Sequence, residues 1–187
     1  MNPSDLKDLY DRKGRALVRR PGFARETGQA RVSMTPGGLA CHVVEPPNRT
    51  LRVDVPVDHG GTNAGPHPGQ LMRASIGACL AIGYTIWAAR MEVPLDRVVL
   101  ELTCDFDARG QLGIAAEVAV GWQRLVVDVT IMSVAAAADV RRVVQTANRT
   151  CPMLANLSPA IVQVHRLTIT ATSPQPTEQE RTTHERI

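Results

Sequence analysis

The chain has 187 residues, 44% of them hydrophobic, and a formal charge of +3. That length fits one domain of ordinary size with appendages, and the apolar share supports a real core. The charge is too mild, and basic and aromatic residues too poorly interleaved, for a nucleic-acid surface; the four cysteines are too few and too irregularly spaced for a secreted disulfide scaffold.

Residues 1–28 read as an appended basic helix and linker. Asn2 suits the N-cap, Pro3 the first helical position, and Asp5 and Asp8 the positive end of the dipole. Leu6, Leu9, Leu17 and Val18 make a thin apolar stripe, while Arg12, Lys13, Arg15, Arg19 and Arg20 make the arm basic. A solvated arm, or a clasp on a partner subunit, is expected before a nucleic-acid or membrane contact. The N-terminus has no apolar h-region, so a cytoplasmic protein with reduced thiols is expected.

The period then becomes two. Ala30, Val32 and Met34 alternate with polar residues, Pro36-Gly37-Gly38 turns the chain, and Leu39, Cys41 and Val43 follow in alternation. After Pro46-Pro47-Asn48, a third strand is expected through Leu51, Val53, Val55 and Val57, with Pro56 placing it near an edge or an end. His59 to Pro68 is a Gly-rich loop. From Gln70 to about Met91 a helix is apolar almost all round and is expected to be buried on most sides. Its uncharged run, Ala74 to Ala89, is shorter than the ~20 residues that cross a bilayer.

A strand with Val98, Leu100, Leu102, Cys104 and Phe106 on one face follows, then a connection from Asp107 to Gln123. Leu125 to Ile131 is a strand, Ala135 to Asn148 a helix, Cys151 to Leu157 a short turn of helix, and Ile161 to Ala171 a last strand. Residues 173–187 lack periodicity and are expected to be disordered. The order βββ-α-ββ-α-β predicts an α+β protein with mostly antiparallel sheet.

Two cysteines stand in settings suited to chemistry, and neither belongs to a CxxC pair. Cys79 lies within LMRASIGACLAIGYTIWAA. Apolar surroundings make a thiol inert, so by itself Cys79 is either a small core residue or a reactive thiol activated by another segment or subunit. Cys151 precedes Pro152 and would be the N-cap of a short helix, where thiolate is favoured, with Arg149 close in sequence; a structural cysteine before a turn is the alternative. Cys41 and Cys104 read as core. His59 and His67 share a loop without a third ligand at a recognisable spacing, so no metal is expected. No phosphate-binding loop, GxGxxG unit or nucleophile elbow is present.

The segment GPHPGQLMRASIGACLAIGYTIWAARMEVPLDRVVLELTCDFD resembles the central stretch of the OsmC/Ohr family, the osmotically inducible and organic-hydroperoxide-resistance proteins. NRTCPMLANL resembles that family's second cysteine motif. The resemblance covers roughly residues 29–172. It implies an OsmC-like α+β fold, with sheets wrapped around two central helices in an intertwined homodimer. It also implies a thiol-dependent peroxidase for organic hydroperoxides, with Cys79 peroxidatic and Cys151 resolving. No bound cofactor is implied, but an external dithiol such as dihydrolipoamide is, together with a role against oxidative stress.

The chain departs from the family pattern where the thiolate is held. The peroxidases use a Glu near the start of the cysteine helix and an Arg from the first hairpin. Here those places carry Gly69 or Gln70, and a turn, Thr35-Pro36-Gly37-Gly38, without Arg. Arg25 or Arg20 from the arm are the candidates to substitute. The alternative function is therefore a non-catalytic small-ligand-binding or redox-sensing protein on the same fold.

Overall fold

A computed structural model describes residues 2–45, 49–157 and 159–172. The turn expected at Pro46-Pro47-Asn48 and the tail expected from Ser173 lie outside the described residues. Among the described residues the chain forms two compact units, one within residues 8–79 and one from residue 80 onward together with residues 2–7.

Helix α1 (Pro3–Arg19) begins as its first residues dictate: the Asn2 side chain accepts the Asp5 N–H at 2.9 Å. Its residues are nowhere fully buried.

In the first unit, β1 (Arg31–Met34), β2 (Cys41–Glu45) and β3 (Arg49–Val53) form an antiparallel sheet in that order. The register puts Val32 beside Val43 and Leu51, and Met34 beside Cys41 and Val53, so one face is apolar. The other face carries Arg31, Ser33, His42, Thr50 and Arg52. On the apolar face Val32 and Met34 remain 60% exposed in the single chain.

The third strand is shorter than its alternation predicts. It stops at Val53, and Val57–His59 forms a 3-10 turn with Val57 exposed. Asp54 is the reason. Its buried carboxylate accepts the N–H groups of Val55, Thr62 and Ala64 and the Thr62 hydroxyl, so the chain folds back around it. Returning, it passes so close to β3 that a Cβ on Gly65 would lie 2.2 Å from the Arg52 carbonyl oxygen.

Helix α2 runs Pro68–Met91. His67 caps it: its ring Nδ1 accepts the Gly69 N–H at 3.0 Å, while Gln70 Oε1 reaches back to the His67 N–H at 2.8 Å. This is the reciprocal capping pattern of helix starts. The helix ends at Met91, three residues before Pro94. Glu92 turns left-handed (φ 57), and its N–H and that of Val93 close on the Ala89 and Ala88 carbonyls at 3.2 and 2.9 Å.

A non-glycine residue at this position carries strain. Glu92→Gly is expected to raise stability by about 1 kcal/mol in urea unfolding. The exposed Lys7–Glu92 pair at 3.9 Å that it removes contributes little.

A helix apolar almost all round predicts burial on most sides, and in the single chain α2 departs from this. Ile76, Leu80, Tyr84, Ala88 and Ala89 are buried, but Met72 and Ile82 are exposed. By length and composition the helix could cross a bilayer, and 22% of its most apolar window is buried.

In the second unit, β4 (Arg97–Asp105), β5 (Arg124–Ser133) and β6 (Val162–Ala171) form a sheet in that order. The first pair is antiparallel and the second parallel. The connection between β4 and β5 holds a single helical turn, α3 (Ala108–Gln111), capped by Asp107 through the Arg109 N–H at 2.9 Å. Helix α4 (Ala137–Arg149) and the one-turn α5 (Pro152–Ala155) form the crossover to β6.

The core is aliphatic, as the scarcity of aromatics requires. Leu125, Val127, Val129 and Ile131 of β5 are at most 3% exposed. Val140, Val143, Val144 and Ala147 form the inward stripe of α4. Each such valine stabilises the fold by about 1.5–3 kcal/mol. The carboxyl half of α2 comes close to α4, a Cβ on Gly83 lying 3.6 Å from the Ala147 Cβ.

Candidate functional site

None of the four cysteines is in a disulfide. Cys79 sits half-buried on α2, between buried Ile76 and Leu80, and closes the first unit. Cys151 lies in the second unit and is 5% exposed.

Cys151 is the N-cap of α5, with extended backbone (φ −78, ψ 112) and Pro152 at the first helical position. This is the local structure its Cys-Pro step predicts. Its carbonyl accepts the Ala155 N–H at 3.1 Å, and its own N–H donates to the Asn148 carbonyl at 3.4 Å. Its side chain makes no capping hydrogen bond. The thiol is thus held at a fixed point by backbone bonds on both sides.

The surroundings of Cys151 contain residues that sequence reasoning passed over. Tyr84, fully buried on α2, donates its hydroxyl to Asn148 Oδ1 at 2.8 Å. Trp87, one helical turn later, donates Nε1–H to the Thr150 hydroxyl at 2.9 Å. The Arg90 guanidinium stacks on Trp87, 4.4 Å from its ring centre. Asn148 Nδ2 lies 3.5 Å from His165 Nδ1 on β6, a contact at the long limit of a hydrogen bond.

Burial first, and then the charge of a Cys151 thiolate, push the Tyr84 hydroxyl up to about 12. Burial also lowers the His165 pKa, favouring its neutral ring. The signal that would have found this cluster was available: two of the chain's six aromatic residues stand three apart on an otherwise aliphatic helix.

Gln70, Arg149 and Arg25, the residues the sequence offers near the two thiols, fare differently. The Gln70 side-chain oxygen is occupied by the α2 cap described above. Arg149 is exposed in the last turn of α4, where its charge complements the helix end. Arg25 is exposed and extended, just past a 3-10 turn at Pro21–Ala24.

His59 contacts Asp58 at 3.1 Å and His67 is used as a cap. Among the described residues no group of three or more metal-ligating side chains converges.

A family model for OsmC-like proteins matches residues 60–165, more than half of the chain. Among solved structures, an OsmC-like protein from Mycoplasma pneumoniae is 12% identical with a TM-score of 0.67, over 78% of this chain and 98% of that one. An organic hydroperoxide resistance protein from Legionella pneumophila is 19% identical with a TM-score of 0.57, over 76% and 97%. An organic hydroperoxide resistance protein from Elizabethkingia anophelis is 16% identical with a TM-score of 0.58, over 78% and 98%. At these identities the likeness speaks to the fold, which is the α+β architecture the sequence predicts. No curated protein matches the chain.

Proposed function

Because the chain belongs to the OsmC-like protein family, we propose that it is a thiol-dependent peroxidase for organic hydroperoxides, with Cys79 peroxidatic and Cys151 resolving. The observation that carries this is the retention of both family cysteines outside any disulfide, one on the apolar α2 and one fixed at the α5 N-cap.

The Cys79 thiolate attacks the peroxide oxygen, so that an S–O bond forms and the O–O bond breaks. The alkoxide leaves and is protonated to the alcohol, and the sulfur, oxidised by two electrons, is a sulfenic acid. The Cys151 sulfur then attacks the Cys79 sulfur. The S–S bond forms, and hydroxide leaves as water with the proton from Cys151. An external dithiol such as dihydrolipoamide reduces the disulfide by exchange, being itself oxidised. The apolar surface of α2 favours alkyl hydroperoxides over hydrogen peroxide.

The assembly that fits this chemistry is a homodimer. Exposed Ile82 and Met72 on α2, and the open apolar face of the β1–β3 sheet, are apolar surface of the kind partner subunits cover. Ile82→Glu is expected to convert a dimer to monomer in sedimentation equilibrium at micromolar concentration. An unchanged dimer would place the interface elsewhere.

A second function, small-ligand binding without catalysis, draws on one observation: Gln70 is engaged in capping, in the region where the family's peroxidases place a carboxylate. Residue-resolved thiol trapping after one equivalent of cumene hydroperoxide separates the two. Rapid loss of both thiols to a Cys79–Cys151 disulfide supports peroxidase; slow alkylation of two persistent thiols supports the binding protein.

A further inference from the structure

We propose that Tyr84, Asn148 and His165 are positioning residues for Cys151, holding the α4–α5 turn so that its thiol stays sheltered until the resolving step. The role rests on the peroxidase assignment for its purpose, though its geometry stands without it.

Asn148 is the centre of the arrangement. Its backbone carbonyl takes the Cys151 N–H. Its side-chain oxygen takes the Tyr84 hydroxyl from α2, and its Nδ2 faces His165 Nδ1 on β6. One residue therefore ties the cysteine's backbone to two other elements of the same unit. As placed, the amide oxygen takes the Tyr84 hydroxyl and the amide nitrogen faces an unprotonated His165 Nδ1. Tyr84 is suited to the task because its hydroxyl stays protonated, and hence a donor, across the physiological range.

His165 Nδ1 accepts from Asn148 Nδ2 only while it is unprotonated, whereas the Tyr84 hydroxyl, both donor and acceptor, can bond the Asn148 amide in either orientation. His165 shares its sheet row with Leu102 of β4 and Val127 of β5. Arg166 points to the other face, where it pairs with Asp128 at 3.2 Å.

The test uses Tyr84→Phe, which keeps the buried ring and removes the hydroxyl, alongside His165→Gln, whose amide oxygen can still accept from Asn148 Nδ2. Iodoacetamide alkylation of the full-length reduced protein is followed residue by residue by mass spectrometry at pH 7.5. In Tyr84→Phe, Cys151 should alkylate roughly tenfold faster than in wild type, with Cys79 unchanged. In His165→Gln, which keeps the acceptor, Cys151 should stay within twofold of wild type. Cys151 alkylating within twofold of wild type in Tyr84→Phe would overturn the proposal.

In the same samples, one equivalent of cumene hydroperoxide should yield Cys79 sulfenate at the wild-type rate in Tyr84→Phe and disulfide about tenfold more slowly. Failure of wild type to form sulfenate would count against the peroxidase and leave the alkylation result to decide the positioning role.

Discussion

Cys79→Ser is expected to abolish peroxide turnover, lowering it by a factor on the order of 10³ or more, while Cys151→Ser permits one stoichiometric reduction and then stalls. The two outcomes differ because the proposed mechanism uses the cysteines in sequence. A serine hydroxyl cannot be oxidised by peroxide, so without the Cys79 sulfur no S–O bond forms. Without Cys151 the sulfenate forms but has no resolving partner. Dimedone should then capture it at Cys79, and excess hydroperoxide should carry it on to the sulfinic acid. Consumption of cumene hydroperoxide, followed with dihydrolipoamide present, measures both. Full turnover in Cys79→Ser would sink the peroxidase assignment outright. Turnover surviving in Cys151→Ser would leave Cys79 peroxidatic but assign resolution to the external thiol.

Tyr84→Phe adds a third class to this series, a variant that keeps both thiols yet slows only the second step. Such a split would distinguish a loosened turn from a damaged nucleophile, because general loss of structure would slow both steps together.

Most of the fold was legible because periodicity reports which face is buried. The alternations through Val32, Val43 and Leu51, and through Val98, Val129 and Leu167, became ladders whose registers keep the apolar residues on one side. The Cys-Pro step gave an N-cap because proline is preorganised for a first helical position and cysteine is not. The failures came where one side chain overrode the pattern. Alternation carried the third strand on to Val57, but the Asp54 carboxylate collects four donors and ends the ladder. An apolar helix implied burial, yet burial depends on what lies against each face, which α2 does not encode alone. The Tyr84–Asn148–His165 cluster joins residues 64 and 17 positions apart. No local period connects them, and each looks ordinary in its own segment.

The turn around Asp54 is where a single substitution should cost the first unit most. A Cβ on Gly61 would lie 2.0 Å from the Val55 carbonyl oxygen and 2.7 Å from Asp54 Oδ1. The Val55 carbonyl already accepts the Asn63 N–H at 3.1 Å, so it cannot retreat without breaking the turn. Gly61→Ala is therefore expected to cost roughly 3 kcal/mol in urea unfolding.

Asp54→Asn should also destabilise, and its signature is in the pH dependence. The Thr62 hydroxyl first, then the Ala64 N–H, hold the Asp54 carboxyl far below its ordinary value of 3.8, against the opposing push of burial. A carboxyl with a depressed folded pKa contributes its full stabilisation above the unfolded value and loses it as the pH falls from there toward the folded one. The stability difference between wild type and Asp54→Asn should therefore be constant from pH 7 to about 5 and shrink steadily below about pH 4. A difference that stayed constant down to pH 2 would mean that the carboxylate charge does not hold the turn. Because the same turn sets the chain's path from β3 into α2, through the Asp54 N–H to Pro66 carbonyl bond at 3.3 Å, loosening it should also disturb the start of the helix that carries Cys79.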